Sequence, residues 1–423
     1  MFYLTAWFVK SIITNKKRNL NLSFIFKYIQ MQTQNQIENF LFQGKFDEAR
    51  ECLNNGENFN EQYLKNNFSQ IAAKIIEAKE IDFTEKLIKA GFIETDIYEL
   101  DSFDKSIFNA LSRNIKNDDA SLSFFREIMS KTDNVNDEIS DQTLLGYCIE
   151  KEAVPEVIKI LIEDFGCNAQ YKNNAQENLI HKIVNNYALN ADKGKEYISI
   201  LIENGVDINE KNVVGTTPLM YAVKRNKKEY IPMLLENGAD PNETDNQENS
   251  AFYYAVGEQF SIPMYELLAA SSSANFNSIN KDGRTLLTEF IRMMSDSEND
   301  LNSLQRLLSD GADLNHAAQY YGNPKSGIDY IAEKKSGILK SVLDNGAIDV
   351  NEQDNQGNTI LHKVCAYNVN YDAEAAKEIY RKVKVLLENG ADKDVTNDKD
   401  ETALRLASTD NLKIKTVELL MKA

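Results

Sequence analysis

The side chains best suited to chemistry are scarce in this sequence, which has four cysteines and three histidines in 423 residues. His362 and Cys365 are three residues apart, a spacing that would place a base and a nucleophile on one face of a helix. The local signatures GxGxxG, GxxxxGKS/T, HExxH and GxSxG are absent. The acidic run Asp296–Asp300 lacks the spacing and the glycine of a calcium loop. The sequence therefore predicts no catalytic site, no cofactor and no metal.

Composition narrows the class of partner. Apolar residues make up 42% and charged residues 26% of the chain, which is typical of a folded protein. The net charge of −18 argues against contact with a phosphate backbone, so we expect no nucleic acid. The same field favours a protein partner with a basic or mixed-charge surface or peptide. The four cysteines form no CxxC pair, so we expect a reducing, cytoplasmic location. We also expect the chain to be a monomer.

Residues 1–30 differ from the rest of the chain because they carry five basic residues and no acidic residue, which leaves −23 on residues 31–423. Their apolar stretch, Phe2–Val9, is far shorter than the roughly 20 residues that span a bilayer, so we expect no stable membrane span. Three interpretations are open. Met31 is the biological start, or residues 1–30 add a helix to the first repeat, or they form a targeting or membrane-touching segment.

A repeated block organises most of the sequence. It is clearest at Thr216–Asn242, where Thr217-Pro218-Leu219-Met220 opens the block and Leu234–Asn242 closes it. The opening recurs at intervals of 33 to 43 residues, at Thr143, Asn178, Thr217, Ser250, Thr285, Ser326, Thr359 and Thr402. This period and these motifs resemble the ankyrin repeat. The resemblance implies an all-α solenoid of helix–turn–helix units with short β-hairpin fingers.

The residue types in the block suit that fold. Thr217 can cap the first helix with its hydroxyl, and Pro218 suits the first helical position, where no amide partner is lost. Gly238 allows the left-handed residue that ends the second helix. One unit cannot bury its own apolar face, so neighbouring units must stack. We expect an eight-unit array over residues 141–423, degenerate ankyrin-like repeats or an unrelated helical domain over 31–140, and an extension over 1–30.

The resemblance gives the rare reactive residues structural roles. His181 and His362 lie at the family's TPLH histidine position, where the ring bonds the neighbouring hairpin backbone. Cys148 and Cys365 lie at the small core position that alanine fills in the clearest repeat, so we expect buried, inert thiols. His316 lies in an enlarged finger and is expected to be solvated.

We expect a partner to bind the concave face, which the fingers and first helices line. The first-helix position after the TPLH histidine is predicted to be exposed, and it holds Tyr147, Lys182, Tyr221, Tyr254, Glu289, Ile331, Lys363 and Leu406. The predicted partner-binding residues are Tyr147, Tyr221 and Tyr254 in this stripe, Tyr253 beside it, Val213 and Val214 at a finger tip, and Tyr320 and Tyr321 in the enlarged finger 316–325. The alternative is that the tyrosines only pack along their own helices.

Insertions are the other departures from the period. The units that begin at Asn178 and Thr359 carry about six and about ten extra residues, which we place between their two helices, on the edge away from the fingers.

The hypothesis for function is a non-catalytic scaffold for protein–protein interaction. Abundant Asn, Lys, Ile and Phe indicate AT-rich coding, as in protists and many intracellular bacteria. The chain resembles the stand-alone ankyrin arrays of such bacteria, and that resemblance implies an effector delivered into a host cell. The alternatives are an enzyme with its site in 31–140 or in the finger 316–325, and a membrane-tethered adaptor.

Overall fold

Helices dominate the computed structural model, which describes residues 36–320 and 323–423, with side chains at all of these except Gln36, residues 318–320 and Asn323. The helices are α1 Gln36–Phe42, α2 Phe46–Asn54, α3 Glu61–Ala78, α4 Ile81–Lys89, α5 Ile107–Asn114, α6 Asp119–Met129, α7 Leu144–Glu150, α8 Pro155–Glu163, α9 Leu179–Asn185, α10 Ala191–Glu203, α11 Pro218–Lys224, α12 Ile231–Glu236, α13 Ala251–Tyr253, α14 Ile262–Ala269, α15 Leu286–Met293, α16 Glu298–Ser309, α17 Gly327–Glu333, α18 Ser336–Asp344, α19 Ile360–Ala366, α20 Ala373–Glu388, α21 Ala403–Ala407 and α22 Ile414–Lys422. A π-helical turn, Tyr254–Glu258, continues α13, and short 3-10 turns occur at Ile97–Glu99, Phe103–Lys105 and Asn411–Lys413. Strands β1 (Ala317–Tyr320) and β2 (Asn323–Ser326) form an antiparallel hairpin.

The openings of the repeated block are the N-caps of eight short helices. In each, the capping side chain accepts a hydrogen bond from the backbone N–H three residues later, which satisfies one of the amides that a helix start leaves without a partner. The eight caps are Thr143, Asn178, Thr217, Ser250, Thr285, Ser326, Thr359 and Thr402. The predicted helix starts are therefore confirmed.

The described chain forms two compact units. Unit 1 contains residues up to Asn173 together with Ala188–Gly205, and unit 2 contains Asn174–Tyr187 together with Val206–Ala423. In unit 1, α1, α3, α5 and α7 stack in one row, and α4, α6, α8 and α10 stack in a second row. In unit 2, α9, α11, the α13 turn, α15, α17, α19 and α21 form the first row. Its second row includes α18, α20 and α22. Each helix therefore buries its apolar face against the next repeat.

Most fingers begin at a glycine with left-handed backbone. Gly238 has φ of 90°, as the motif predicted. An asparagine of the preceding repeat then seals the helix end: Asn209 donates to the Gly238 carbonyl (2.9 Å) and accepts from the Asp240 amide (2.9 Å). Asn351 makes the same pair of bonds with the next repeat. These bonds join successive repeats along the fingers and satisfy groups that a helix end exposes.

The insertions lengthen helices rather than loops. Helix α12 has six residues, whereas α10 has 13 and α20 has 16. The loop before α20, residues 367–372, is as long as the loop 225–230 before α12. Asn190 and Asp372 cap α10 and α20 by accepting bonds from two amides each, so the extra residues enter the helix at once. The prediction that the extra residues lie between the two helices is therefore wrong, because they lie within the second helix.

Lysines of unit 2 reach from one repeat to the end of the first helix in the preceding repeat. Lys227 donates to the Asn186 carbonyl (3.3 Å), Lys334 to the Met294 carbonyl (2.9 Å) and Lys413 to the Cys365 carbonyl (2.8 Å). Cations favour the C-terminal end of a helix because the carbonyl dipoles point outward there.

None of the helices in the described residues has both the length and the apolar composition needed to cross a bilayer.

Candidate protein-binding groove

A cleft of about 740 Å³ lies within unit 2, between the first helices α17 and α19 and below the β1–β2 hairpin. Ala317, Pro324 and Ser326 line it from the hairpin. The finger Asp349–Asn358 supplies another wall, and the loop after α19 supplies Tyr367, Asn368 and Asn370. The cleft is therefore formed by fingers and first helices, the two kinds of element for which the sequence predicted partner binding.

Acidic side chains dominate the lining of this cleft. Its charged residues are five carboxylates and one lysine, a net charge of −4, namely Asp329, Glu333, Asp349, Glu352, Asp354 and Lys363. The carboxylates of Asp349, Glu352 and Asp354 belong to exposed residues. A concave surface lined by one sign of charge concentrates ions of the other sign, so the cleft favours cationic groups.

Lys363 lies at the side of the cleft and is held by two carboxylates. Its Nζ lies 2.6 Å from Asp329 Oδ1 and 2.5 Å from Asp354 Oδ2. Burial acts to lower the pKa of Lys363, but the two carboxylates outweigh it and the pKa is raised. Lys363 thus stays charged and neutralises part of the acid, while Asp349 and Glu352 remain outside this network.

The histidine of the cleft is buried, and both of its ring nitrogens are hydrogen-bonded. His362 lines the cleft but is 1% exposed. Its Nε2 donates to the Glu401 carbonyl (3.0 Å), which fixes the tautomer, and its Nδ1 accepts from the Thr359 hydroxyl (2.8 Å). His181 Nε2 likewise donates to the Thr216 carbonyl (2.9 Å). Both histidines therefore have the predicted structural role of bonding the next finger.

The cysteines are buried and their thiols resist ionisation. Cys148 and Cys365 are 2% and 0% exposed, at the predicted core position. Burial raises the pKa of the Cys365 thiol to about 12, and burial raises that of Cys167 to about 12 as well. A nucleophilic thiolate needs a lowered pKa, so the burial and raised pKa of Cys365 disfavour its use as a nucleophile beside His362. In the described residues, no group of three or more His, Cys, Asp or Glu side chains is arranged to hold a metal ion.

The predicted exposure of the tyrosine stripe is wrong at Tyr147 and Tyr254, which are 2% and 3% exposed. The Tyr147 hydroxyl donates to Asp104 (2.9 Å), and its ring packs against Phe103. The Tyr254 hydroxyl donates to Asp245 of its own finger. Each ring is covered by its own chain, because a nearby carboxylate satisfies the hydroxyl and lets the ring lie in the core. The alternative of rings that pack on their own repeats holds at these two positions.

The remaining members of the stripe differ in exposure. Tyr221 and Tyr253 are half-buried, and the Tyr221 hydroxyl donates to Glu177 (2.7 Å). Glu289 and Ile331 are buried, which also contradicts the predicted exposure. Glu289 is enclosed because Arg284 and Arg292 pair with its carboxylate. The position is therefore a boundary between core and groove, and the neighbouring repeat decides which side chain reaches solvent.

The finger tip at Val213 and Val214 is apolar and exposed, with 55% of each side chain accessible. The Val213 amide donates to the Ala175 carbonyl, and the Val214 carbonyl accepts from the Asn246 amide, so backbone bonds hold the tip between neighbouring fingers. Of the two tyrosines predicted in the enlarged finger, Tyr320 has only its backbone described, in β1, and Tyr321 lies outside the described residues.

Sequence reasoning missed the acidic side chains of the cleft and one tyrosine, Tyr371, which lies in the loop 367–372 beside it and is 98% exposed. The signal available in the sequence was the insertion after Thr359, which contains Tyr371. The carboxylates gave no comparable signal, because finger positions rich in Asp and Glu recur in most repeats and only the packing of α17 against α19 gathers them.

Comparison with known protein families agrees with the repeat over part of the chain. A family model described as ankyrin repeats (3 copies) matches residues 145–245 and 186–280. Among solved structures, the ankyrin repeat domain of Bcl-3, titled a unique member of the IkappaB protein family, is 21% identical, with a TM-score of 0.46 over 58% of this chain and 97% of that chain. The search of curated proteins finds no match.

The family model identifies ankyrin repeats within residues 145–280, and the eight capped helices continue the same repeat frame beyond that range. The predicted fold class, an all-α array of ankyrin units, is confirmed. Ankyrin repeats generally mediate protein–protein interactions, and the family is typically non-catalytic.

Proposed function

We propose that this chain is a protein-interaction scaffold and that the cleft between α17 and α19 is its principal docking site. The observation that carries the proposal is the net charge of −4 in a cleft formed by first helices and fingers. A partner with a basic or mixed-charge segment would gain electrostatic attraction there, and the cleft supplies backbone and amide groups for hydrogen bonds.

A stable interface needs about 800 Å² on each partner, more than one cleft offers. We therefore propose that contacts continue along the first-helix face and finger tips of unit 2. Tyr221 and Tyr253 are half-buried and can pack against a partner without leaving their helices. Val213 and Val214 expose apolar surface that their own repeat does not cover. Apolar and aromatic anchors of this kind usually contribute most of the binding energy.

The test uses a photoreactive benzoylphenylalanine in place of Asn355, which lines the cleft, in the full chain. Irradiation in eukaryotic cytosolic lysate should cross-link a distinct protein. The matched control places the same amino acid at Glu236, an exposed site on the second helix α12. Cross-linking of the same proteins from both sites would contradict the proposal.

A second arm tests the charge. The double substitution Asp349→Asn and Glu352→Gln removes two negative charges from the cleft, and its control, Glu236→Gln with Glu388→Gln, removes two from second helices of the same unit. Cross-linking should fall in the first variant and persist in the second. Raising the salt from about 0.1 to about 0.5 M should also weaken it, since exposed charges are screened. Equal cross-linking by both variants would contradict the electrostatic role.

Further parts of the hypothesis concern the chain outside the cleft. We propose that the chain acts as a monomer in the cytoplasm, that of a host if it is a delivered effector, because its composition resembles that of stand-alone ankyrin proteins from intracellular bacteria. We also propose that residues 31–140 are degenerate repeats that extend the array, since α1 to α6 form three helix pairs. The mass of the mature N-terminus would show whether residues 1–30 are present.

A further inference from the structure

The loop between α19 and α20 projects a tyrosine into solvent. Tyr371 is 98% exposed, more than any other large hydrophobic residue with a described side chain. No hydrogen bond, aromatic ring or cation of the described residues contacts its side chain. A ring this exposed contributes no burial to the stability of its own repeat, so its position needs another explanation.

The backbone of this loop is strained in a way that produces the projection. Asn370 and Tyr371 both have left-handed backbone, with φ of 50° and 66°. That conformation is unfavourable for a bulky residue such as tyrosine, and it persists only where the surrounding structure imposes it. Val369 on one side is 1% exposed, and Asp372 on the other caps α20. These two anchors leave the pair between them to point outward.

The projecting pair adjoins the acidic cleft. Asn368 and Asn370 line the cleft, and Tyr371 is the next residue in the chain. The face of a tyrosine ring attracts cations through its quadrupole. The same chain shows this contact in another loop between first and second helices, where Lys227 Nζ lies 4.5 Å from the centroid of the Tyr187 ring. Tyr371 has the ring, but no cation of residues 36–320 or 323–423 lies over it.

We propose that the acidic cleft and Tyr371 form one bipartite site for a short basic segment of a partner protein, with one cationic side chain in the cleft and a second stacked on the Tyr371 ring. This inference rests on the proposed docking function of the cleft and adds a requirement for two basic residues. The net charge of −4 selects a cationic occupant over an acidic or apolar one. At the Tyr371 ring, arginine suits the site better than lysine because its planar guanidinium stacks on aromatic faces.

The probes are fluorescein-labelled peptides with two arginines separated by two to six glycines, with single-arginine peptides for comparison. Their affinity for the full chain is measured by fluorescence polarisation at low salt. In at least one spacing, Tyr371→Ala should weaken binding by about 2- to 5-fold, and Tyr371→Phe should retain most of it, since the ring rather than the hydroxyl attracts the cation. With single-arginine peptides, Tyr371→Ala should have no effect.

The controls separate this inference from the proposed function. Tyr98→Ala removes another exposed tyrosine, from unit 1, without changing charge, and should leave affinity unchanged. If Asp349→Asn with Glu352→Gln weakens binding but Tyr371→Ala does not at any spacing, the bipartite site is wrong and the docking cleft stands. If neither variant weakens binding, both proposals fail. A peptide of residues 10–27, which carries the five N-terminal basic residues, is included as well; tighter binding of it would make the chain's own segment the occupant and overturn the assignment to a partner.

Discussion

Lys382 is a buried lysine whose titration should make stability depend on pH. It lies on α20, its side chain is 2% exposed, and its ammonium donates to the Ala332 carbonyl at the end of α17. Burial lowers its pKa from 10.5 to about 8, against the opposing effect of Glu378, Glu333 and Cys365. Replacing it with methionine, Lys382→Met, removes the titration and keeps most of the apolar stem.

The sign follows from proton binding in the two states. Below about pH 8 the lysine is protonated in both the folded and the unfolded chain, and the cost of the buried charge is fully present. Between pH 8 and 10.5 the folded chain releases its proton first, so the unfolded state binds more protons and stability rises with pH. The full effect over 2.5 pKa units is about 3 kcal/mol, of which about 1 kcal/mol should appear between pH 7 and 9.

The assay is urea unfolding at pH 7, 8 and 9, followed by circular dichroism, for the natural chain and Lys382→Met. The natural chain should gain about 1 kcal/mol relative to the variant over this range. Tyrosines, cysteines and other lysines are common to both chains, so their titration cancels. Lys384→Met, at an exposed position on the same helix, should follow the natural chain. Equal pH dependence in the natural chain and Lys382→Met would refute the reasoning.

Three other predictions concern the repeats. Gly215→Ala should lower the free energy of unfolding by more than Gly238→Ala: both glycines have positive φ, but only at Gly215 would the new methyl group lie 2.6 Å from the Asn246 amide nitrogen. Parallel denaturation curves would decide this, and equal losses would contradict it. Tyr147→Phe should cost about 1 kcal/mol, since it removes the bond to Asp104, yet leave partner cross-linking unchanged; a loss of cross-linking in a folded variant would restore Tyr147 to the binding surface. The four cysteines, all buried, should react with a maleimide at pH 7 only after denaturation, and rapid labelling of the native chain would show that the thiols are accessible.

Local sequence was sufficient to predict the repeat and its helix starts. A capping side chain, the proline at Pro218 and a glycine such as Gly238 after a second helix act within a few residues of the chain, so they predict where helices begin and end. Side chains that bond the adjacent finger in a fixed frame, such as His181 and His362, are predictable for the same reason. The lengthened α10 and α20 were less predictable, because extra residues between two helices can extend either the loop or the helix.

The binding surface was only partly predictable. The predicted stripe lies four residues after each helix cap except in the Ser326 unit, where that position is Tyr330 and not Ile331. The exposure of its side chains depends on the neighbouring repeat: Asp104 and Phe103 enclose Tyr147, whereas Tyr221 remains half-buried. The acidic cleft combines residues from α17, α19 and two fingers, and no local pattern announces such a combination.

The sequence by itself determined the ankyrin class, the eight helix starts and the structural roles of the histidines and of Cys148 and Cys365, because each depends on contacts within one repeat or between equivalent positions of adjacent repeats. Tertiary structure decided which tyrosines are buried, where the acidic side chains gather and that Tyr371 projects beside them. The first two properties depend on how particular neighbouring side chains pack. The third depends on left-handed backbone between the buried Val369 and the helix cap Asp372. The repeat pattern carries no information about this packing or about this backbone conformation.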